Sequence, residues 1–295
     1  MEQTNFFDQI SKNRRNSFIL VFVMLGILYS LLYIIAQIYN PEITFLLMSF
    51  AIAITLIHAS TSYFAGTSIV LSSTGAIPAD PKEYQYYHNV VEGLCLAAGL
   101  PKPKLYVLPT NEINAFASGR DPQHAVIAVT NGALQNLDRQ ELEGVIAHEI
   151  SHVGNYDIRY SMIVAVFVGL IAILSELFLR SLRFSRGGGR KKGAALLIII
   201  GIILAIFAPL FSRMVQLSIS RKREFLADAT AAKLTRYPEG LASALEKIKN
   251  YNQCNMEVNE AVSHMFISDP KKTFMDSMFA THPPIDERIR ILRAM

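Results

Sequence analysis

His148, Glu149 and His152 stand as H-E-x-x-H within DRQELEGVIAHEISHVGNYD, residues 138–157. Side chains four apart on a helix share nearly one face, so both rings can offer a nitrogen to a single zinc ion. Glu149, one step round, can reach a metal-bound water without being a ligand, which is the placement of a general base in metal-assisted hydrolysis. Asp138 followed by Glu141 is a D-x-x-E capping pattern, and Gly154 stands where a left-handed helix stop would sit. Leu142, Val145, Ile146, Ile150 and Val153 supply a broad apolar stripe. The stretch predicts a helix buried on one side and wet at a metal.

A catalytic zinc takes three protein ligands and keeps one position open, so a further ligand is needed. The best-placed candidate is Glu224 in SRKREFLADATAA, with Asp228 one helical turn later on the same face. Asp228 can then accept a hydrogen bond from the non-ligating nitrogen of His148 or His152. Taken without the H-E-x-x-H, the same segment reads as an amphipathic helix with a solvated charged face. Asp157, five residues after His152, is either a second carboxylate behind a ligand or a helix terminator.

H-E-I-S-H together with S-R-K-R-E-F-L-A-D resembles the HtpX-type membrane zinc proteases, relatives of the CAAX prenyl endopeptidases and of mitochondrial stress proteases. Asn114-Ala115-Phe116-Ala117-Ser118-Gly119 resembles that family's N-A-F-A-x-G strand. Val129-Thr130-Asn131-Gly132 resembles its V-T-x-G motif, and His282-Pro283-Pro284 with Arg288 its H-P-P-x-x-x-R. The likeness covers nearly the whole chain. It implies a mainly α fold with a small β-sheet, a membrane-anchored zincin-like protease domain and about four transmembrane or membrane-embedded helices. It also implies one Zn2+ per subunit, and His282 or Arg288 as a donor to the oxyanion of the tetrahedral intermediate.

Composition agrees with a membrane protein. The 295 residues are 51% hydrophobic, with mean hydropathy +0.29, too apolar for an ordinary soluble chain. The net charge is only +4, and the basic residues gather beside apolar runs, which points to lipid headgroups and excludes a nucleic-acid surface. Residues 1–17 read as a cytoplasmic tail. Residues 18–65 hold two apolar runs, Phe18–Ile38 and Ile43–Ala65, the second containing His58. Lys12, Arg14 and Arg15 precede the first run and the turn at Asn40-Pro41-Glu42 has no Lys or Arg, so the N-terminus and the active site are placed on the cytoplasmic face of a bacterial-type plasma membrane.

Residues 66–160 read as the first part of the protease domain, with a helix over Pro81–Ala98 and strands at Leu105–Leu108, Ala115–Ala117 and Ala125–Thr130. Zinc endopeptidases commonly hold substrate as an added strand along a sheet edge. Either the strand carrying Asn114, Ala115, Phe116 and Ala117 or that over Ala125–Thr130 can be that edge, and a short core sheet without substrate contact is the equal alternative for each. Residues 161–212 form an apolar hairpin around the basic loop 180–192, RSLRFSRGGGRKK. Residues that bind one ion lie on one side of the membrane, so this hairpin crosses twice or not at all. Two crossings put six Lys and Arg outside, against the positive-inside tendency; the resemblance favours two spans, and a re-entrant or surface-lying hairpin is the alternative. Residues 213–295 complete the domain, with helices over Glu239–Tyr251 and Pro284–Met295. Cys95 and Cys254 form no C-x-x-C pair, in keeping with a reducing compartment.

These features predict a zinc endopeptidase acting at the cytoplasmic face on membrane or unfolded proteins, in quality control and stress response, with other membrane proteases as possible partners. An intramembrane protease would embed H-E-x-x-H in an apolar span, whereas charged Asp138–Glu143 precedes this one. A CAAX-type endopeptidase shares the motifs, but its family carries more spans. A scaffold with structural zinc would need a fourth protein ligand and has no use for Glu149.

Overall fold

A computed structural model describes residues 44–166, 221–252, 256, 258, 260–268 and 283–295, with a few isolated positions before residue 44. The chain divides into two compact units, Met1–Ala65 with Val166–Ser212, and Gly66–Ala165 with Arg213–Met295. Most of the first apolar run and of the apolar hairpin 161–212 lies outside the described residues, as do the basic loop, His282 and Cys254. The second run begins α1, Thr44–Thr74. Among the described residues no helix is long and apolar enough to cross a membrane.

The second unit is mainly helical around a small mixed sheet. The strands are β1, Ile77–Pro78, β2, Lys104–Leu108, β3, Ala115–Gly119, and β4, Ala125–Thr130, in the order β1-β2-β4-β3. β2 runs parallel to β4, while β1 pairs antiparallel to β2 and β3 antiparallel to β4. The helices are α2, Gln85–Ala98, α3, Asn131–Asn136, α4, Arg139–Gly154, α5, which is described over 157–166, α6, Arg221–Thr235, α7, Pro238–Tyr251, α8, Glu260–Ser263, and α9, Ile285–Leu292.

Strand alternation explains why the sheet carries two cores. Ala115, Ala117, Ile127 and Val129 face the cluster built with α2, α4 and α7. Phe116, Val126 and Ala128 face the other, with Leu108, Val70 and Phe266. Successive side chains of a strand point to opposite faces, so β4, wholly buried, feeds both.

The metal-motif helix starts as its sequence predicts. Asp138 accepts from Glu141 N–H at 2.9 Å while Glu141 accepts from Asp138 N–H at 2.7 Å, a complete capping box. Its end differs from expectation. Gly154 is the last helical residue and Asn155 is still right-handed; the left-handed residue is Tyr156, at φ 60°. That conformation is costly for a non-glycine residue. It reverses the chain within two residues, so that α5 begins at once and Asp157 comes back beside His152.

Helix α4 lies under the sheet and packs against α6 and α7. Leu142, Val145, Ile146 and Ile150 are almost fully buried, each worth about 1.5–3 kcal/mol. The α4–α7 crossing is set by glycine at two points. A Cβ on Gly144 would stand 2.6 Å from Leu241 N, and one on Gly240 would stand 2.4 Å from Gln140 O. Those neighbours are backbone and cannot step aside. Gly144→Ala is expected to lower stability by about 1–3 kcal/mol through overpacking, checked by denaturant unfolding against the unmodified chain.

Candidate metal centre

α4 and α6 bring three groups together. His148 and His152 face one way from α4, Glu224 faces them from α6, and one ligand atom from each lies within 4.8 Å of the others. The two Nε2 atoms are 3.2 Å apart. Glu224 places Oε2 at 3.7 Å from the first and Oε1 at 3.5 Å from the second. Ligands on a tetrahedral ion with bonds of about 2.0–2.2 Å stand about 3.3–3.6 Å apart. The spacing fits such an ion.

The hydrogen bonds fix which nitrogen is bare. His148 Nδ1 donates to Asp228 Oδ1 at 2.9 Å and His152 Nδ1 donates to Asp157 Oδ2 at 3.0 Å. Arg288 Nη2 is also 3.4 Å from His148 Nδ1, but the much shorter carboxylate contact decides the tautomer. When both rings are neutral their Nε2 lone pairs therefore face each other. At that distance they repel unless a proton or a metal cation lies between them.

Charge balance makes the same demand. Glu149, Glu224, Asp157 and Asp228 are buried, and Arg223 and Arg288 pair with this group. With both imidazoles neutral, as ligation requires, four carboxylates against two guanidiniums leave two negative charges uncompensated. A divalent cation removes that cost.

The two rings titrate in opposite directions. Burial pushes His148 down to about 4, with the Arg288 charge adding to it against the pull of Asp228. Burial also opposes charging His152, but Asp157 and Glu224 outweigh it and hold the ring at about 9. His152 is thus the ring whose proton a bound cation displaces. Asp228 is buried, which alone would raise it, yet the Arg288 charge and the His148 contact hold it at about 2.

Glu149 lies beside the ligands and lines an open cleft. Other walls are Ala117 from β3, Ile158 and Ser161 from α5, Arg223 from α6, and His264 to Ile267. Arg288 takes a different position from the oxyanion role that the resemblance implies. Its guanidinium has no exposed surface, donates to Asp228 through Nε at 2.9 Å and Nη2 at 2.7 Å, and reaches Ile267 O through Nη1 at 3.2 Å. It holds a carboxylate behind a ligand and does not line the cleft.

Of the predicted substrate-binding residues, Ala117 alone lines the cleft. Phe116 points to the opposite face, edge-on to Phe266 with ring centroids 5.0 Å apart. Ala115 O accepts from Ile267 N at 2.9 Å. The side chain of Asn114 clasps Ser268, donating to its carbonyl at 2.9 Å and accepting from its N–H at 3.3 Å. The outer edge of β3 is thus occupied over its first residues by the chain's own 266–268 segment. His264 and Arg223 were not singled out by sequence: His264 lies in no motif, and Arg223 was part of a segment whose charges read equally well as a solvated face.

The profile of peptidase family M48 matches residues 81–295. The chain belongs to that family. It is 42% identical over 300 residues to a protease HtpX homolog of Caldanaerobacter subterraneus subsp. tengcongensis and 43% identical over 300 residues to one of Thermoanaerobacter pseudethanolicus, in each case covering 100% of this chain and 99% of the relative. The fold is similar to that in the crystal structure of S. mikatae Ste24p, with TM-score 0.51 and 21% identity over 97% of this chain and 67% of that one. The protein is accordingly a metalloprotease, a hydrolase of peptide bonds, and the three-residue cluster is where its metal can sit.

Arg288→Met is expected to cost about 3–5 kcal/mol, because it strands the buried Asp228 carboxylate without its partner. Equilibrium unfolding of the metal-free chain checks this, and a loss below 1 kcal/mol would count against a buried ion pair.

Proposed function

We infer that the chain is a membrane-anchored zinc endopeptidase that cuts unfolded or membrane proteins near the cytoplasmic membrane surface. The observation that carries the reading is the pair of Nε2 atoms 3.2 Å apart, each ring backed by its own carboxylate, with Glu224 as the third ligand and Glu149 in the same cleft. Zinc suits two imidazoles and a carboxylate, and leaves a coordination position open.

When bound, zinc supplies Lewis acidity that polarises the scissile carbonyl and acidifies water. The chain supplies the rest. Glu149 takes a proton from the attacking water as its oxygen bonds to the carbonyl carbon, then delivers it to the amine nitrogen as the C–N bond breaks. Asp228 and Asp157 keep the Nδ1 protons of His148 and His152, so their Nε2 lone pairs stay directed at the metal. His264 lines the cleft, and we assign it to the polar wall that meets the substrate carbonyl; His282, the donor that the resemblance implies, lies outside the described residues. Ala117 and residues 265–267 flank the path of the substrate backbone.

Anchoring is supported by the four apolar runs and by the large apolar side chains that α1 exposes, among them Phe45 at 85%, Phe64 at 72% and Leu46 at 69%. Large apolar side chains exposed along one helix suit contact with membrane or protein. Because His152 and Glu224 share one cluster, residues between them return to the side they left, as two crossings or a re-entrant hairpin. Quality control of damaged membrane proteins is the role we assign, in keeping with the apolar runs that stand on either side of the metal motif in sequence.

Glu149→Gln is expected to keep stoichiometric zinc while cleavage of an unfolded reporter in detergent falls at least 100-fold, the lower range of general-base contributions. Cleavage at the wild-type rate would exclude Glu149 as the base. Alkaline carbonate extraction of membranes from expressing cells is expected to leave the chain in the pellet; its release to the supernatant would exclude spanning.

A further inference from the structure

Each ligand histidine is backed by an aspartate, and each aspartate in turn by an arginine. On one side His148 Nδ1 meets Asp228, which Arg288 grips through two donors at 2.7 and 2.9 Å. On the other His152 Nδ1 meets Asp157 Oδ2 at 3.0 Å, and Asp157 Oδ1 accepts from Arg223 Nη1 at 3.2 Å. We propose that Arg223 is a positioning residue for the metal centre, holding His152 in its ligating orientation through Asp157. This rests on the zinc-site reading above.

Three observations carry the assignment. Arg223 directly precedes Glu224, and successive helical residues are turned by about 100°, so α6 sends a ligand to the metal and a guanidinium to the neighbouring aspartate. The guanidinium is fixed independently, with its carbon 5.2 Å from the centroid of Tyr160 on α5, the helix that also carries Asp157. Last, the two arrangements differ in access: Arg288 and Asp228 are 0% and 1% exposed, against 17% and 8% for the side chains of Arg223 and Asp157. Both of the latter line the cleft, so substrate arriving there meets the support of His152 and not that of His148.

The bonding predicts different tolerances. Arg288 uses a fork that lysine cannot reproduce. Arg223 makes one charged bond to Asp157, which an ammonium can replace. Removing a group behind a metal ligand typically lowers metal affinity about 10–100-fold.

The test uses the full chain in detergent, with zinc affinity measured by competition against a chromophoric chelator and visible spectra recorded on the cobalt-loaded protein. Arg223→Gln and Asp157→Asn are each expected to lower zinc affinity at least tenfold and to shift the cobalt bands in the same sense. The double variant is expected to be no weaker than the worse single variant, because both act on His152 through one path. Arg223→Lys is expected to stay within about threefold of wild type. Should Arg223→Gln keep wild-type affinity, should the two losses multiply in the double variant, or should the lysine variant lose tenfold, the positioning role is overturned. If Arg223→Gln fails to fold, the lysine variant and Asp157→Asn decide alone. Wild type that binds no zinc overturns the zinc site itself, a separate failure from a wild type that binds and an Arg223→Gln indistinguishable from it.

Discussion

Two imidazole Nε2 atoms held 3.2 Å apart are the constraint on which the rest of the protease unit depends. Nothing in an aqueous chain favours that arrangement; it persists because surrounding groups over-determine it. Asp228 and Asp157 remove the freedom of each ring to flip, so the space between the nitrogens belongs to the His152 proton or to the cation that displaces it. The capping box at Asp138 and Glu141 and the buried face of α4 hold the backbone that carries both rings. The uncompensated negative charge that results is a standing affinity for a dication, so folding stores part of the binding free energy in advance.

The arginines show how that storage is tolerated. Four buried or nearly buried carboxylates around one cleft would repel strongly without Arg288 and Arg223. Each guanidinium pairs with an aspartate, and that of Arg288 also stands 3.7 Å from Glu224 Oε2, so both offset the charge of the carboxylates around the cluster. Their unequal exposure gives the centre a closed flank and an open one, and Glu149, Ala117 and His264 line the open cleft.

Much of this was legible in the chain. H-E-x-x-H and E-x-x-x-D are spaced by the helical period, so the two histidines on one face, and Asp228 on the face of Glu224, follow from helix geometry; which histidine Asp228 backs does not. Strands β2, β3 and β4 follow from their alternating or continuous apolar patterns between turn residues. What could not be read depends on contacts between distant segments. The left-handed residue is Tyr156 and not Gly154, because the tight return that brings Asp157 to His152 determines where the chain must bend. Arg288 carries no local mark distinguishing a buried clamp from an oxyanion donor; its role is fixed by Asp228, sixty residues away. The occupation of β3 by residues 266–268 has no periodic signature at all, since a short irregular segment writes its pairing only in three dimensions.

That pairing bears on how a protease keeps its own sheet intact. A strand edge with open N–H and C=O groups is a template for any extended chain, and a molecule whose cleft admits foreign backbone meets such chains constantly. By seating Ile267 against Ala115 and clasping Ser268 with Asn114, the fold fills the start of that edge with its own sequence. Ala117, farther along the same strand, is the β3 residue that lines the cleft. The same few residues thus act as a plug on the sheet, closing to outside chains the template that the start of β3 would otherwise offer.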